Sequence, residues 1–318
     1  MALVTIISPC YNEEPMLQLF YDTLQERVFD RLPQHTFELL LVNDGSRDGT
    51  LSIMKALAAG DARVKYVSFS RNFGKEAAMY AGLQHASGDY VAIMDCDLQD
   101  PPELIETMLE RLETGQCDCV ATRRVTRKGE PKIRSAFARA FYRLINRISD
   151  TEFVDGARDY RMMRRAMVDA VLSLPEYHRF SKGLFMWVGF DTQWLEFENV
   201  ERAAGETKWS FWKLFSYAIE GIVSFSTAPL KIATFTGCIV SAAALLYMVI
   251  RVIIAMLFGN PVAGYPSLLA IMLCLGGLTL LALGIIGEYV ARTYEQVKGR
   301  PIYIARESNV EPRRPGRG

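Results

Sequence analysis

The sequence is sparing with the residues that most often build metal cages and stapled folds. Its 318 residues include three histidines and six cysteines. Cys10, Cys96, Cys117, Cys119, Cys238 and Cys274 are scattered, and no spacing among them matches a zinc site. They read as reduced thiols in a cytosol-facing protein. The net charge is zero at pH 7 and the pI is about 6.8, so no global field draws nucleic acid. Glycine-rich phosphate cradles are missing too. No G-x-G-x-x-G follows the first apolar run, and neither G-x-x-x-x-G-K-[ST] nor G-x-S-x-G occurs. That excludes a P-loop and argues against a dinucleotide fold. The N-terminus enters "ALVTIISPCYNEE" without the basic and apolar regions of a cleavable signal, so the first half is expected to fold in the cytosol.

What the sequence does have is alternation. Short apolar, β-branched runs at Leu3–Ser8, Phe37–Asn43, Val64–Phe69, Tyr90–Met94 and Cys119–Thr122 read as strands. Stretches with 3.6-residue apolar spacing at Pro15–Phe29, Gly49–Ala58, Lys75–Ala86 and Pro102–Thr114 read as helices. The alternation predicts an α/β domain with a doubly wound, mostly parallel sheet covered on both faces. Four of the strands end in short polar clusters: Tyr11–Glu14, Asp44–Ser46, Arg71–Asn72 and Asp95–Asp97. Ligands of open α/β sheets sit outside the carboxyl ends of the strands, so these clusters describe one binding edge. Asp95 and Asp97 in "GDYVAIMDCDLQDPP" offer two hard oxygen donors there. With room for water and phosphate oxygens, they suit Mg²⁺ or Mn²⁺ holding a diphosphate.

The last third is built for a bilayer. Ile232–Ile250 carries no charge and continues through Arg251 to Phe258; Pro266–Gly287 is a second uncharged span. The link "GNPVAGYP" has no Lys or Arg, whereas Lys231 precedes the first span and Arg292, Lys298 and Arg300 follow the second. The positive-inside rule then puts both ends in the cytosol. Trp209–Lys231 is amphipathic and aromatic, as expected of helices lying on a membrane surface. The expected organisation is a cytosolic domain over 1–207, juxtamembrane helices over 208–230, a transmembrane hairpin over 231–292 and a cytosolic tail over 293–318.

Five segments in order, "SPCYNEE", "VNDGSRDGT", "RNFGKEAAMYAG", "DCDLQDPPE" and "ERAAGETKWS", precede the two spans. Together they resemble the family-2 glycosyltransferases, and more closely those that act on polyisoprenyl phosphates, over nearly the whole chain. The resemblance implies a glycosyltransferase-A fold, a nucleotide-sugar donor, Mg²⁺ or Mn²⁺, and a lipid-phosphate acceptor such as undecaprenyl phosphate at the inner membrane. It implies that Pro9, Tyr11 and Glu13 line the base and ribose pocket and that Asp44 contacts the base. Asp95 would face the sugar and ribose, and Asp97 would ligate the metal with Gln99 beside it. Arg202 and Lys208 would close over the diphosphate; Thr207-Lys208-Trp209 replaces the more usual Ser-Lys-Tyr. Arg123, Arg134 and Arg139 would meet the acceptor phosphate, since guanidinium pairs with phosphate through a planar fork. Asp159, in "DYR", would orient or deprotonate the acceptor, with Asp155 as the fallback.

Direct attack by a lipid phosphate would invert the anomeric centre. UDP-glucose is the preferred donor on this resemblance; UDP-N-acetylglucosamine, UDP-galactose, GDP-mannose and an aminoarabinose donor stay open. A homo-oligomer is expected, and a tetramer is one form of it. A polysaccharide synthase of the same superfamily would need many more spans and usually a Q-x-x-R-W motif, which is absent. A non-catalytic membrane-anchored partner would be marked by loss of Asp97 or Arg202, and both are present.

Overall fold

The computed structural model describes residues 1–124, 142–149, 151, 153–197, 222–258 and 264–313. Eight strands form one sheet: β1 (Leu3–Cys10), β2 (Thr36–Asn43), β3 (Val64–Phe69), β4 (Tyr90–Ile93), β5 (Cys119–Arg124), β6 (Ala157–Arg164), β7 (Thr192–Phe197) and β8 (Ala305–Ser308). Their order is β7-β5-β6-β4-β1-β2-β3-β8. Strands β4, β1, β2 and β3 are parallel neighbours, and β5 runs parallel to β7. The helices of the globular part are α1 (Glu14–Leu24), α2 (Thr50–Gly60), α3 (Lys75–His85), α4 (Leu104–Glu113), α5 (Arg165–Leu172) and α6 (Ser181–Trp187). A π-helical turn, Gln25–Phe29, continues α1 to the end expected for that helix.

The inner strands are buried because both their faces are covered. Alternate residues of a strand point to opposite faces. Ile6, Leu39 and Leu41 therefore join one core with Leu17 and Phe20 of α1 and Ile105 and Leu109 of α4. Ile7, Leu40 and Val42 join the other, with Ala78 of α3, Val168 of α5 and Phe185 of α6. This is why the first two strands read as continuous apolar runs rather than as alternating ones. On the second face α3 sits close to β1: a Cβ on Gly82 would lie 2.2 Å from Ile7 Cγ2.

From β1 the chain winds outward through β2 and β3, then returns to place β4 on the other side of β1. The carboxyl ends of β1 and β4 thus flank the point where the winding reverses, where open α/β sheets form their crevice. Strand β6 is antiparallel to β4, with Ile93 opposite Arg161. Its first residues therefore lie at the same edge as the last residues of β4.

Two long helices follow, α7 (Ala228–Phe258) and α8 (Tyr265–Val297). Each is long and apolar enough to cross a membrane, and the apolar windows Ala228–Tyr247 and Cys274–Val297 are not buried in the protein. Tyr289 Oη donates to Ser226 O at 2.6 Å and Arg292 donates to Ser224 Oγ at 3.0 Å, which ties the end of α8 to the start of α7. The segment expected to be a tail instead returns to the sheet. Strand β8 adds antiparallel to β3, Tyr303 stacks on Phe69 at 4.8 Å, and Lys55 pairs with Glu307 at 2.7 Å. The globular domain is therefore closed by residues from both sides of the hairpin. Most of the juxtamembrane stretch lies outside the described residues.

Candidate active site

Four loops from the carboxyl edge, after β1, β2, β3 and β4, build the site together with the first residues of β6. After β1, Asn12 N donates to Ser46 Oγ at 3.0 Å, and Arg47 N donates to Asn12 Oδ1 at 2.9 Å. Glu13 N donates to Thr50 Oγ1 at 2.9 Å. These bonds fasten the Tyr11–Glu13 loop to the loop after β2. Pro9 is partly buried at the end of β1, Glu13 is partly buried, and the Tyr11 ring is exposed. Gly45, at φ +64°, lies where the second loop meets the third; a Cβ there would come within 2.4 Å of Arg71 C.

Asp44 is buried, and its carboxylate is a structural clamp. Its oxygens accept from Phe73 N at 2.6 Å and from Gly74 N at 3.0 Å. Burial pushes its pKa up, and those two N–H groups and Arg71 oppose the shift. The clamp fixes the loop that opens α3, where Gly74 adopts φ +99° and Lys75 begins the helix.

Lys75 joins the sequence-predicted acids. Its Nζ lies 2.8 Å from the Asp95 carboxylate and 2.7 Å from Asp159 Oδ2. The register explains the meeting: Ile93 faces Arg161, so Asp95, two residues further along, comes opposite Asp159. Burial alone would raise the Asp159 pKa; the charges of Lys75, Lys182 and Arg161 outweigh it and hold the carboxyl well below its usual range. Packing around the partly exposed Lys75 side chain works against its charge, but Asp159 and Asp95 outweigh it and raise its pKa. The half-buried Glu76 carboxylate accepts from Ser181 N at 3.0 Å and from Ser181 Oγ. Burial and the nearby Asp159 push its pKa up to about 7.

Asp97 stands in a tight turn in which Gln99 N donates to Asp97 Oδ1 at 3.1 Å. Between them Leu98 has φ +54°, the left-handed region that a branched apolar residue avoids. Among the described residues, Leu98 and Asn12 are the non-glycine positions of positive φ, and both are at this edge. Strain of this kind persists where surroundings impose it and clusters at functional sites. Behind the turn, buried Asp100 accepts from Arg158 at 3.0 Å. Burial outweighs Arg158, and with Asp95 and Asp97 nearby the Asp100 pKa is pushed up to about 6.

The remaining predicted residues divide. Arg123 ion-pairs with Glu196, its register partner on β7. Asp155 is not among the Lys75 partners; it lines a separate cavity of about 530 Å³ with Tyr142, Arg143, Asn146, Arg147 and Phe153. Tyr160 and Arg161 of "DYR" are buried: Tyr160 Oη donates to Pro101 O at 3.1 Å, and Arg161 lies over the Phe185 ring. Arg134, Arg139, Arg202 and Lys208 lie outside the described residues. Sequence reading gave no role to Lys75, Glu76, Asp100 or Arg158. Lys75 had left a signal, because a lysine in the first turn of a helix opposes the macrodipole and calls for nearby carboxylates.

The donor set suits a hard divalent cation. Asp95 and Asp97 present carboxylate oxygens, and among the described residues no group of three or more His, Cys, Asp or Glu side chains forms a closed cage. Two protein carboxylates, completed by phosphate oxygens and water, are the usual setting of nucleotide-bound Mg²⁺.

The chain is similar to known proteins over most of its length. The bactoprenol glucosyl transferase of Shigella phage SfII is 43% identical over 306 residues, which is 96% of this chain and 98% of that protein. The prophage bactoprenol glucosyl transferase homolog of Escherichia coli K12 is 42% identical over 301 residues, 95% and 97% of the two chains. The solved structure of Mycobacterium tuberculosis glucosyl-3-phosphoglycerate synthase with Mn²⁺, UDP and phosphoglyceric acid is 19% identical. It covers 70% of this chain and 76% of that one with a TM-score of 0.49. The family model described as glycosyl transferase family 2 matches residues 5–172. With that match from β1 through β6 and identity carried on through both long helices, the chain belongs to glycosyl transferase family 2.

Proposed function

We propose that this enzyme transfers glucose from UDP-glucose to undecaprenyl phosphate at the cytosolic face of the membrane, with inversion, giving a polyprenyl-phosphate sugar. The observation that carries the reading is the meeting of Asp95, Lys75 and Asp159 beside Asp97, at the crevice of a chain 43% identical to bactoprenol glucosyl transferases. Tyr11, Pro9 and Glu13 form the wall for base and ribose, and Asp44 holds the loop that backs it. Asp97 and Asp95, with Gln99 alongside, hold Mg²⁺ or Mn²⁺. When bound, the cation supplies positive charge to the diphosphate as it leaves.

The acceptor phosphate arrives already ionised, so it needs orientation more than a strong base. A carboxylate held ionised by neighbouring cations is a weak base, and Asp159 therefore serves as the orienting group. Arg123, Arg134 and Arg139 screen the acceptor's charge, and Arg202 and Lys208 meet the diphosphate. Helices α7 and α8 lie in the bilayer, with both termini cytosolic, and bring the edge to the leaflet that holds the lipid.

The test is a panel of radiolabelled nucleotide sugars offered to the purified protein with undecaprenyl phosphate and Mg²⁺ or Mn²⁺. The expected result is glucose in the lipid fraction, and no nucleotide release without lipid. Lipid-independent turnover would overturn the acceptor assignment, and transfer of a different sugar would overturn the donor.

A further inference from the structure

The edge read above as the cation site already holds a cation of the protein's own. Lys75 Nζ is within 2.8 Å of Asp95 and 2.7 Å of Asp159. Its position does not depend on a long side chain alone. Asp44 grips the two preceding backbone N–H groups, and Gly74 supplies the turn into α3. The other nearby cations are engaged elsewhere: Arg158 on Asp100, Arg161 over Phe185 and Lys182 on Ala157 O. A divalent ion would approach an oxygen of Asp95 to about 2.0–2.2 Å. An ammonium group already 2.8 Å from the same carboxylate competes for that charge and repels the incoming ion.

We propose that Lys75 is a positioning residue that stands in for the divalent cation on Asp95 in the substrate-free enzyme. When donor and cation arrive together, Lys75 releases Asp95 and pairs with Asp159 alone. The inference rests on the cation reading of the preceding subsection. It adds a function for the switch. The carboxylates stay neutralised against stray cations before the donor binds, and the acceptor-orienting Asp159 is fixed once it has bound.

The test is Mn²⁺ affinity, read by electron paramagnetic resonance on the full chain in detergent with UDP present. Lys75→Met is expected to bind Mn²⁺ about tenfold more tightly, since the competing charge is gone, while transferring glucose more slowly. Lys75→Arg, which keeps the charge, should stay within about twofold of wild type. Asp159→Asn should bind Mn²⁺ about threefold more weakly, because Lys75 then turns wholly to Asp95. These shifts have opposite signs, and a merely structural lysine would not tighten cation binding. Unchanged or weaker binding by Lys75→Met overturns the proposal. If that variant does not fold, Asp159→Asn decides: weaker binding supports the proposal, and unchanged or tighter binding overturns it. Wild-type protein that binds no Mn²⁺ would remove the cation reading and this inference together. Equal binding by wild type and Lys75→Met would remove the inference alone.

Discussion

At the carboxyl ends of β1 and β4, charges are dense and closely matched: Asp95 and Asp159 share Lys75, and Asp100 faces Arg158. Along α7 and α8 the arrangement is the reverse. Charge is absent over Pro266–Gly287, and large apolar side chains such as Leu245, Leu246, Leu280 and Leu281 face outward. In the sheet, apolar residues are buried by helices on both faces, and what remains at the carboxyl edge is polar. Among the described residues no protein layer covers the apolar surface of the hairpin, which is consistent with a membrane-associated protein. An outward apolar surface of this extent is well beyond what a soluble domain leaves open. If one region carries the proposed chemistry and the other the proposed location, each should be separable from the other by mutation.

The largest effect should come from Asp97→Ala. Losing the cation's carboxylate is expected to lower glucose transfer by roughly a thousandfold or more, while the protein stays in the membrane fraction on carbonate extraction. Next, Leu280→Arg with Leu281→Arg reverses the pattern. Each charge at the centre of a span costs about 3 kcal/mol or more relative to leucine, so membrane retention should fall while Mn²⁺–UDP binding stays within about twofold. A variant that loses both properties would show that the regions are not independent.

A third variant addresses the link between them. Deleting Ala305–Gly318 removes β8, the strand that returns from α8 to the sheet. The expected result is a drop of about tenfold in kcat/KM for the lipid acceptor, with donor affinity little changed. An equal drop in donor affinity would mean that β8 supports the sheet itself rather than its placement.

The smallest effect concerns Glu76. Its carboxyl is raised from 4.5 to about 7 by burial and by Asp159. A carboxyl raised in the folded state binds its proton more tightly there than in the unfolded chain. Its contribution to stability is therefore present at low pH and is lost between about 4.5 and 7 as the pH rises. Glu76→Gln stays neutral, so its Tm advantage over wild type should grow by several degrees across that window and level off above it. A difference independent of pH would contradict the assigned burial.

Much of the sheet was legible because its strands are buried on both sides. Leu39–Val42 reads as a strand in any context, and the polar residues that follow it stand out by contrast. The strands that sequence reading did not name are those whose identity depends on a partner. Strand β8, "ARES", has no apolar pattern, and it is a strand because the edge of β3 accepts it. Strand β6 was read for its chemistry, as the carrier of Asp159, and its antiparallel place between β4 and β5 depends on pairing across some seventy residues. The site divides in the same way. Asp95 and Asp97 are visible because two acids end one apolar run. Lys75, from a different strand–helix turn, becomes part of the site only when β4, β6 and α3 are brought together.

If the acidic edge holds a cation that draws the nucleoside diphosphate away, as proposed, sugar transfer must depend on that cation. The most direct measurement is glucose transfer to undecaprenyl phosphate by the purified enzyme in excess EDTA, followed by addition of Mn²⁺ beyond the chelator. The expected result is no labelled lipid in EDTA and full recovery with Mn²⁺. Undiminished transfer in EDTA would contradict it.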